Sequence, residues 1–271
     1  MNWPNNARCA VMLTFDFDAE SLWLSRDPAN VKRPGVLSQG IYGGRRGVPE
    51  ILKVLRSYSL PATFFVPGWT AEKYADRVHD ILNDGHEIGH HGYLHEWTDP
   101  DKPDEERATF EKGLEALDRV AGIRPTGYRS PAGEASPNLI ALLKEHGLIY
   151  DSSLMTDIMP YKHVMADGTE GPVELPWHWS TDDAPYLMFS VQTPRPIFTN
   201  DHIFQIWRDE FDAIYEMGGL FNLLMHPQFT GRPARLILLR RMIEYILSKP
   251  DVWIAKGHDV AVAWLEANKE V

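Results

Sequence analysis

The chain predicts an α/β fold, a parallel sheet or (β/α) barrel, on three observations. Short apolar runs alternate with amphipathic stretches of helical period along nearly the whole length. Residues capable of chemistry fall where apolar runs end: Asp16 and Asp18, His91 and His95, and His226. A length of 271 residues is ordinary for a barrel folded as one unit, so residues 1–271 read as a single domain. Loops converge at the C-terminal ends of parallel strands, and titratable groups gathered at such ends are hard to attribute to chance.

The elements follow in order. Residues 9–15 read as a strand, and 48–57 as a helix with Pro49 in its first turn. Residues 62–66 form a second strand, 71–82 a helix and 87–90 a short third strand. Residues 104–120 are a strong helix, because Phe110, Leu114, Leu117 and Val120 repeat at helical spacing. A tight loop begins at Tyr128 and a helix covers 137–145. Residues 148–151 and 173–177 are strands. The C-terminal part reads helix 204–216, strand 220–225, helix 236–247, strand 252–255 and helix 260–267. Residues 19–47 and 155–200 are left as long irregular regions, which in a compact domain are usually functional or lie at an interface. The glycine-rich segment 40–47 lacks Lys-Ser/Thr and follows no strand; it is a poor phosphate cradle and reads as a flexible lid or subunit contact.

Composition narrows the function. The formal net charge is −11, and the nearest basic clusters are the pairs Arg45-Arg46 and Arg240-Arg241. Nucleic acid and anionic membranes both need clustered Lys/Arg, so neither is expected as a partner. Cys9 is the one cysteine and sits in a strand-like run, where it reads as a small buried hydrophobe. The N-terminal residues lack the basic and apolar regions of a secretory signal, and no apolar run reaches the length of a membrane span. A soluble, cytoplasmic protein is the expectation.

In an extended chain Asp16 and Asp18 share one face, since side chains alternate with period two. Two close carboxylates repel unless a cation neutralises one of them. His91 and His95 stand at i,i+4 and can aim two imidazoles at one point if the backbone turns helically there. A carboxylate from another strand would complete a three-ligand metal site with an open position for water. Zn2+ suits two imidazoles and one carboxylate, and cobalt, iron, nickel or manganese could take the same geometry. Each piece alone is bland: Asp-x-Asp is common at strand ends, His-x3-His is often a helix-surface accident, and a lone His226 would be a satisfied core histidine. His86 and His90 alternate with Ile88 and read as structural. Glu20 and Glu96 are candidate partners for the histidines, with solvated loop acids as the default.

Together the pieces resemble the polysaccharide deacetylase family, also called the NodB-homology or carbohydrate esterase 4 family, over nearly the whole chain. Its Thr-Phe-Asp-Asp motif corresponds to Thr14-Phe15-Asp16-Phe17-Asp18, and His-Ser/Thr-x-x-His to His91-Gly92-Tyr93-Leu94-His95. Arg-x-Pro-Tyr-Gly corresponds to Arg129-Ser130-Pro131-Ala132-Gly133, the Asp-bearing strand end to Asp151-Ser152-Ser153, and Leu-x-Leu-His to Leu223-Leu224-Met225-His226. The resemblance implies a distorted (β/α) barrel of about seven to eight strands. It also implies one divalent metal ion held by Asp18, His91 and His95, with Asp16 as base and His226 as acid. Arg129 would orient Asp16, Asp151 would hold the His226 imidazolium, and a backbone N–H near Pro131 to Gly133 would stabilise an oxyanion.

Three departures refine the expectation. Phe17 separates the two aspartates, Gly92 replaces Ser/Thr and Ala132 replaces Tyr. These changes resemble an intracellular branch containing peptidoglycan-deacetylase-like proteins, metal-free allantoinases and cyclic imide hydrolases. This chain keeps the full ligand set, which favours a metal-dependent hydrolase of non-peptide C–N bonds. The leading reading is an N-deacetylase of an acetylated sugar or glycan, and the alternative is a hydrolase of a small cyclic amide or imide. A third reading, from another class, is a carbohydrate-binding protein without catalysis, for which the nine tryptophans supply stacking surface. Retention of Asp16, Arg129 and His226 argues against it. Residues 174–183 read as pocket wall or rim, with an aromatic loop packed on the barrel or on a neighbouring subunit as an equal alternative. By analogy with the branch, the protein is expected to form a homo-oligomer.

Overall fold

The first strand shows how the sequence positions everything else. β1 (Cys9–Asp16) is wholly buried. Its odd-numbered side chains, Cys9, Val11, Leu13 and Phe15, join the large core under the outer helices, and Phe17 continues that series. Its even-numbered side chains point to the other face of the sheet, where Ala10 and Met12 pack with Phe65 and Tyr150. Thr14, Asp16 and Asp18 extend this inner face, so it changes from apolar to polar as the strand runs toward its C-terminal end. The computed structural model describes residues 3–165, 167–191 and 194–269.

The sheet continues with β2 (Thr63–Val66), β3 (Glu87–His90), β4 (Gly127–Tyr128), β5 (Tyr150–Asp151), β6 (Tyr161–Val164), β7 (Glu170–Glu174), β8 (Leu220–Met225) and β9 (Val252–Ile254). The strand order is β6-β7-β5-β4-β3-β2-β1-β8, and β9 pairs with the start of β1. All neighbours are parallel except β6 and β7. The sheet curls, and the chain beyond β7 returns beside β8 through a parallel bridge between Asp182 and Leu224. The result is the expected distorted barrel, closed by this bridge rather than by a full strand ladder.

β8 repeats the logic of β1. Phe221, Leu223 and Met225 face the helices, while Asn222 and His226 belong to the inner series. The helices that cover the outer face include Val48–Tyr58, Asn200–Met217 and Pro233–Leu247. Cys9 is fully buried, as expected, and desolvation pushes its thiol up to about 12. Among the described residues no helix is long and apolar enough to cross a membrane.

Several expectations need correction. The helix expected at 71–82 is two helices, Gly68–Lys73 and Ala75–Asn83, broken at Tyr74. Residues 19–47 are largely helical, with Ser21–Leu24, Pro28–Lys32, Pro34–Tyr42 and a wide turn over Gly43–Gly47. Gly40, Gly43, Gly44 and Gly47 are buried contacts, not a flexible lid: a Cβ on Gly47 would stand 2.2 Å from the Pro227 carbonyl oxygen. Only glycine lets that turn approach the His226-Pro227 corner, a packing demand that composition does not reveal. Residues 155–200 carry β6 and β7; β7 ends at Glu174, so the strand expected at 173–177 lies three residues too late. Its alternation is broken because the chain leaves the ladder at Leu175 to form the cavity wall.

Candidate active site

Phe17 explains how the separated aspartates still act together. Its N–H donates to the Phe65 carbonyl (2.8 Å), which keeps the chain extended past β1, and its ring is buried on the outer face. Asp16 and Asp18 therefore point inward side by side. Ala19, next in line, takes a left-handed backbone (φ 51°).

The two histidines meet by a different route from the one spacing suggested. Residues 91–95 are not helical; Gly92 (φ 72°) and His95 (φ 59°) are left-handed and curl the chain. The Glu96 carboxylate holds this curl by accepting the N–H groups of Tyr93 (3.1 Å) and Leu94 (2.8 Å). The two imidazoles end with centroids 5.1 Å apart. Neither candidate acid serves a histidine: Glu96 staples the loop backbone, and Glu20 is buried against Lys73 and Tyr74. His86 and His90 are structural, as expected. His90 is packed edge-on to Phe110 and Tyr128, and burial pushes it down to about 3.

The structure brings Asp18, His91 and His95 together, with one ligand atom from each inside a 4.8 Å span. His91 Nδ1 donates to the Arg129 carbonyl (2.6 Å), which fixes the tautomer and leaves Nε2 as a lone pair. That Nε2 lies 3.4 Å from Asp18 Oδ1 and 3.7 Å from Asp16 Oδ2. His95 Nε2 is 3.9 Å from Asp18 Oδ2. Asp18 Oδ1 and His91 Nε2 are buried without a hydrogen-bond partner. Buried polar atoms are rarely left so, and a carboxylate oxygen and an imidazole lone pair aimed at one point are the donors a divalent cation requires. Burial pushes Asp18 up, but the facing His95, His91 and His226 outweigh it and hold the carboxyl down to about 2. Burial dominates at His95 and pushes it down to about 4, the neutral, donor form.

Arg129 is the inner brace. It donates to Asp16 Oδ1 (2.8 Å), Thr14 Oγ1 (3.0 Å), the Ser152 carbonyl (3.0 Å) and Ser152 Oγ (2.9 Å), and its guanidinium lies over the Phe65 ring. Five N–H groups in a planar fork suit this four-way role, and an ammonium could not fill it. The next turn places Ala132 in the left-handed region (φ 58°). Pro131 has no N–H and that of Gly133 is taken by the Ser130 carbonyl, so Ala132 supplies the turn's remaining donor. A left-handed alanine costs roughly 1–2 kcal/mol, and such strain gathers at functional sites.

The partner of His226 corrects the sequence reading. Asp151 does not reach it; Asp183 does. His226 Nδ1 donates to Asp183 Oδ1 (2.7 Å), and Asp183 Oδ2 accepts the His226 N–H (3.0 Å) and the Thr230 hydroxyl (2.5 Å). Burial disfavours the imidazolium, yet the Asp183 and Asp182 charges outweigh it and push His226 up to about 10. Asp151 instead faces His163 (3.6 Å) and accepts from Ser153 Oγ (2.5 Å), while His163 pairs with Glu174 (2.9 Å). The reason is topological: β5 lies four strands from β1 along the ladder, beside β7, whereas the chain crossing to β8 carries Asp182 and Asp183. Asp183 fell within the segment assigned to the wall, but no periodicity distinguished it. His163 and Glu174 carried no sequence signal either. Asn222, which accepts from Thr14 Oγ1 (3.1 Å), did: it is the polar residue in an otherwise apolar run.

Asp16, His95, Arg129 and His226 open into a cavity of about 430 Å3. Trp97, Trp177 and Trp179 form aromatic walls, with the last two rings edge to face at 4.8 Å. Residues 174–183 thus do line the pocket through Trp177, Trp179 and Asp182.

A barrel with this inner face and this five-segment site has known relatives. The model for the family described as "Polysaccharide deacetylase" matches residues 5–150, more than half of the chain. A peptidoglycan deacetylase of Helicobacter pylori is 33% identical over 93% of this chain and 95% of its own length. A solved Mycobacterium smegmatis protein described as a polysaccharide deacetylase has 40% identity and a TM-score of 0.95, covering 100% of this chain and 94% of that one. The solved allantoinase Puue has 26% identity and a TM-score of 0.86, with coverage of 100% and 94%. The chain belongs to the polysaccharide deacetylase, or NodB-homology, family, whose activity is amide hydrolysis.

Proposed function

We propose that the chain is a divalent-metal-dependent N-deacetylase of an acetylated sugar or glycan. The observation that carries this reading is the pairing of Asp16 with Arg129 and of His226 with Asp183 around the Asp18, His91 and His95 cluster, at one cavity. Asp18, His91 and His95 would hold the cation, which when bound supplies a Lewis acid that acidifies water and polarises a carbonyl. Arg129 engages Asp16 Oδ1, which leaves Oδ2 to accept the proton of an attacking water. The Ala132 N–H stabilises the negative charge that develops on the acyl oxygen. His226, held as the imidazolium by Asp183, gives its proton to the leaving nitrogen. Trp97, Trp177 and Trp179 offer ring faces for a sugar.

The likeness to an allantoinase favours a second reading, ring opening of a small cyclic amide or imide by the same groups. Acetate release from N-acetylglucosamine oligomers and peptidoglycan fragments, set against loss of ring absorbance from hydantoin and succinimide, separates the two. Metal-loaded protein should release acetate and metal-stripped protein should not. Turnover of cyclic amides alone would overturn the deacetylase reading. An Asp16→Asn protein retaining turnover would remove Asp16 from its role. A homo-oligomeric state and a cytoplasmic location complete the reading, and light scattering tests the first.

A further inference from the structure

One wall of the cavity is cationic, and the proposed chemistry uses none of that charge. Arg26 and Arg195 border the cavity together with Met188. The same three residues border an adjoining depression of about 560 Å3, to which Arg33 also belongs. The three arginines come from separate segments: the turn after Ser21–Leu24, the residue preceding Pro34–Tyr42, and the stretch before Asn200–Met217.

All three are exposed at the rim. Among the described residues none of the three lies within 4.0 Å of a carboxylate, a condition shared with Arg45, Arg124, Arg232, Arg235 and Arg240, whereas Arg129, Arg107 and Arg56 are paired. What sets Arg26 and Arg195 apart is that they border the cavity. Asp27, the acid in the depression, is turned back to accept the Ala29 N–H (2.9 Å). Glu134 lines the cavity without pairing to either arginine. Arg26 does not simply extend into solvent: it reaches across to Met188 Sδ (3.6 Å) and toward the Trp97 ring (5.9 Å). Burial and the like charge of Arg195 lower its proton affinity against the opposing pull of Asp18, as expected of a cation with no counter-ion of its own. Uncompensated like charges in a cleft attract anions, and guanidinium forks match carboxylate and phosphate oxygens.

We propose that Arg26 and Arg195, backed by Arg33, bind an anionic group on the substrate, a carboxylate or phosphate borne by the part that extends beyond the scissile amide. This inference rests on the amide-hydrolase reading and narrows its substrate to anionic amides. It predicts that a neutral amide is the poorer ligand whichever ring it belongs to.

The test is calorimetric binding to the metal-loaded protein with matched neutral and anionic probes. N-acetylglucosamine is compared with N-acetylmuramic acid and with N-acetylglucosamine 6-phosphate, and hydantoin with hydantoin-5-acetic acid. At low salt an anionic probe should bind at least about tenfold tighter than its neutral match, since hydrogen bonds to charged groups are worth that much. The preference should shrink with added salt and vanish in the Arg26→Gln/Arg195→Gln protein, while the neutral probe binds as before. Comparison of the carboxylate and phosphate probes identifies which anion the wall prefers. Equal binding of neutral and anionic probes, a preference that survives the double substitution, or no binding of any anionic probe overturns the proposal. Turnover of the same probes is scored separately: an anion preference without hydrolysis refutes the amide-hydrolase reading alone, and hydrolysis without preference refutes the anion wall alone.

Discussion

Replacing Asp183 by asparagine removes one charge and almost no volume, which isolates what the carboxylate does for His226. Asp183 Oδ1 faces His226 Nδ1 at 2.7 Å, and Oδ2 accepts two further donors. A hydrogen bond to a charged group contributes about 1.5–3 kcal/mol. If it serves mainly the protonated imidazole, its loss lowers kcat by about 10- to 150-fold. The loss grows toward about 10^4-fold if the new amide turns its NH2 toward Nδ1 and fixes the wrong tautomer, as the analogous change does in serine proteases. The direction in pH follows. Asp183 and Asp182 push His226 up to about 10, so its acid form persists to high pH. Without the Asp183 charge that form is lost at lower pH, and the alkaline limb of the kcat profile moves down. Steady-state hydrolysis across pH, with thermal melting as a folding control, measures both effects. The companion variant Asp151→Asn should cost stability and leave the alkaline limb in place. A folded, metal-loaded Asp183→Asn enzyme with wild-type kcat and pH profile would refute this reasoning, as would a shifted limb in Asp151→Asn instead.

Three other outcomes are expected. Arg129→Lys keeps the charge but loses the fork that reaches Asp16, Thr14 and Ser152; kcat should fall at least about tenfold, with a lower melting temperature, and wild-type kinetics would show that position alone suffices. The facing carboxylates of Asp151 and Glu174 overcome burial to push His163 up to about 9. The imidazole holds its proton more tightly when folded, so its stabilisation is full below its unfolded value near 6.5 and is lost as pH rises toward 9; the melting temperature should decline from pH 7 to 9, and His163→Gln should flatten the decline, which calorimetry can check. Gly47→Ala forces a Cβ against the Pro227 carbonyl and should destabilise by about 1–3 kcal/mol in urea unfolding; an unchanged midpoint would mean that the wide turn yields.

The distribution of successes in the sequence reading has physical causes. β1 and β8 were legible because their alternation is real: odd side chains pack on helices, and even ones turn polar toward the site. Asp16, Asp18 and His226 lie at the ends of those strands, so the same periodicity located them. The convergence of His91 and His95 was legible but its mechanism was not, because a curl with two left-handed residues satisfies the same i,i+4 spacing as a helix turn. Asp183 was missed because its placement depends on a single bridge to Leu224, a long-range contact that no local pattern records. The helices at 21–42 were missed because their buried face meets other loops and includes glycine, which lowers helical propensity while permitting close packing.

The most direct measurement is the divalent-metal content of the purified protein and of its Asp18→Ala, His91→Ala and His95→Ala variants, taken by elemental analysis after removal of loosely held ions. About one ion per wild-type chain is expected, lost in each folded variant together with hydrolysis, because three ligands define the site. Variants that keep the ion, or a stripped wild-type protein that hydrolyses amides at full rate, would contradict it.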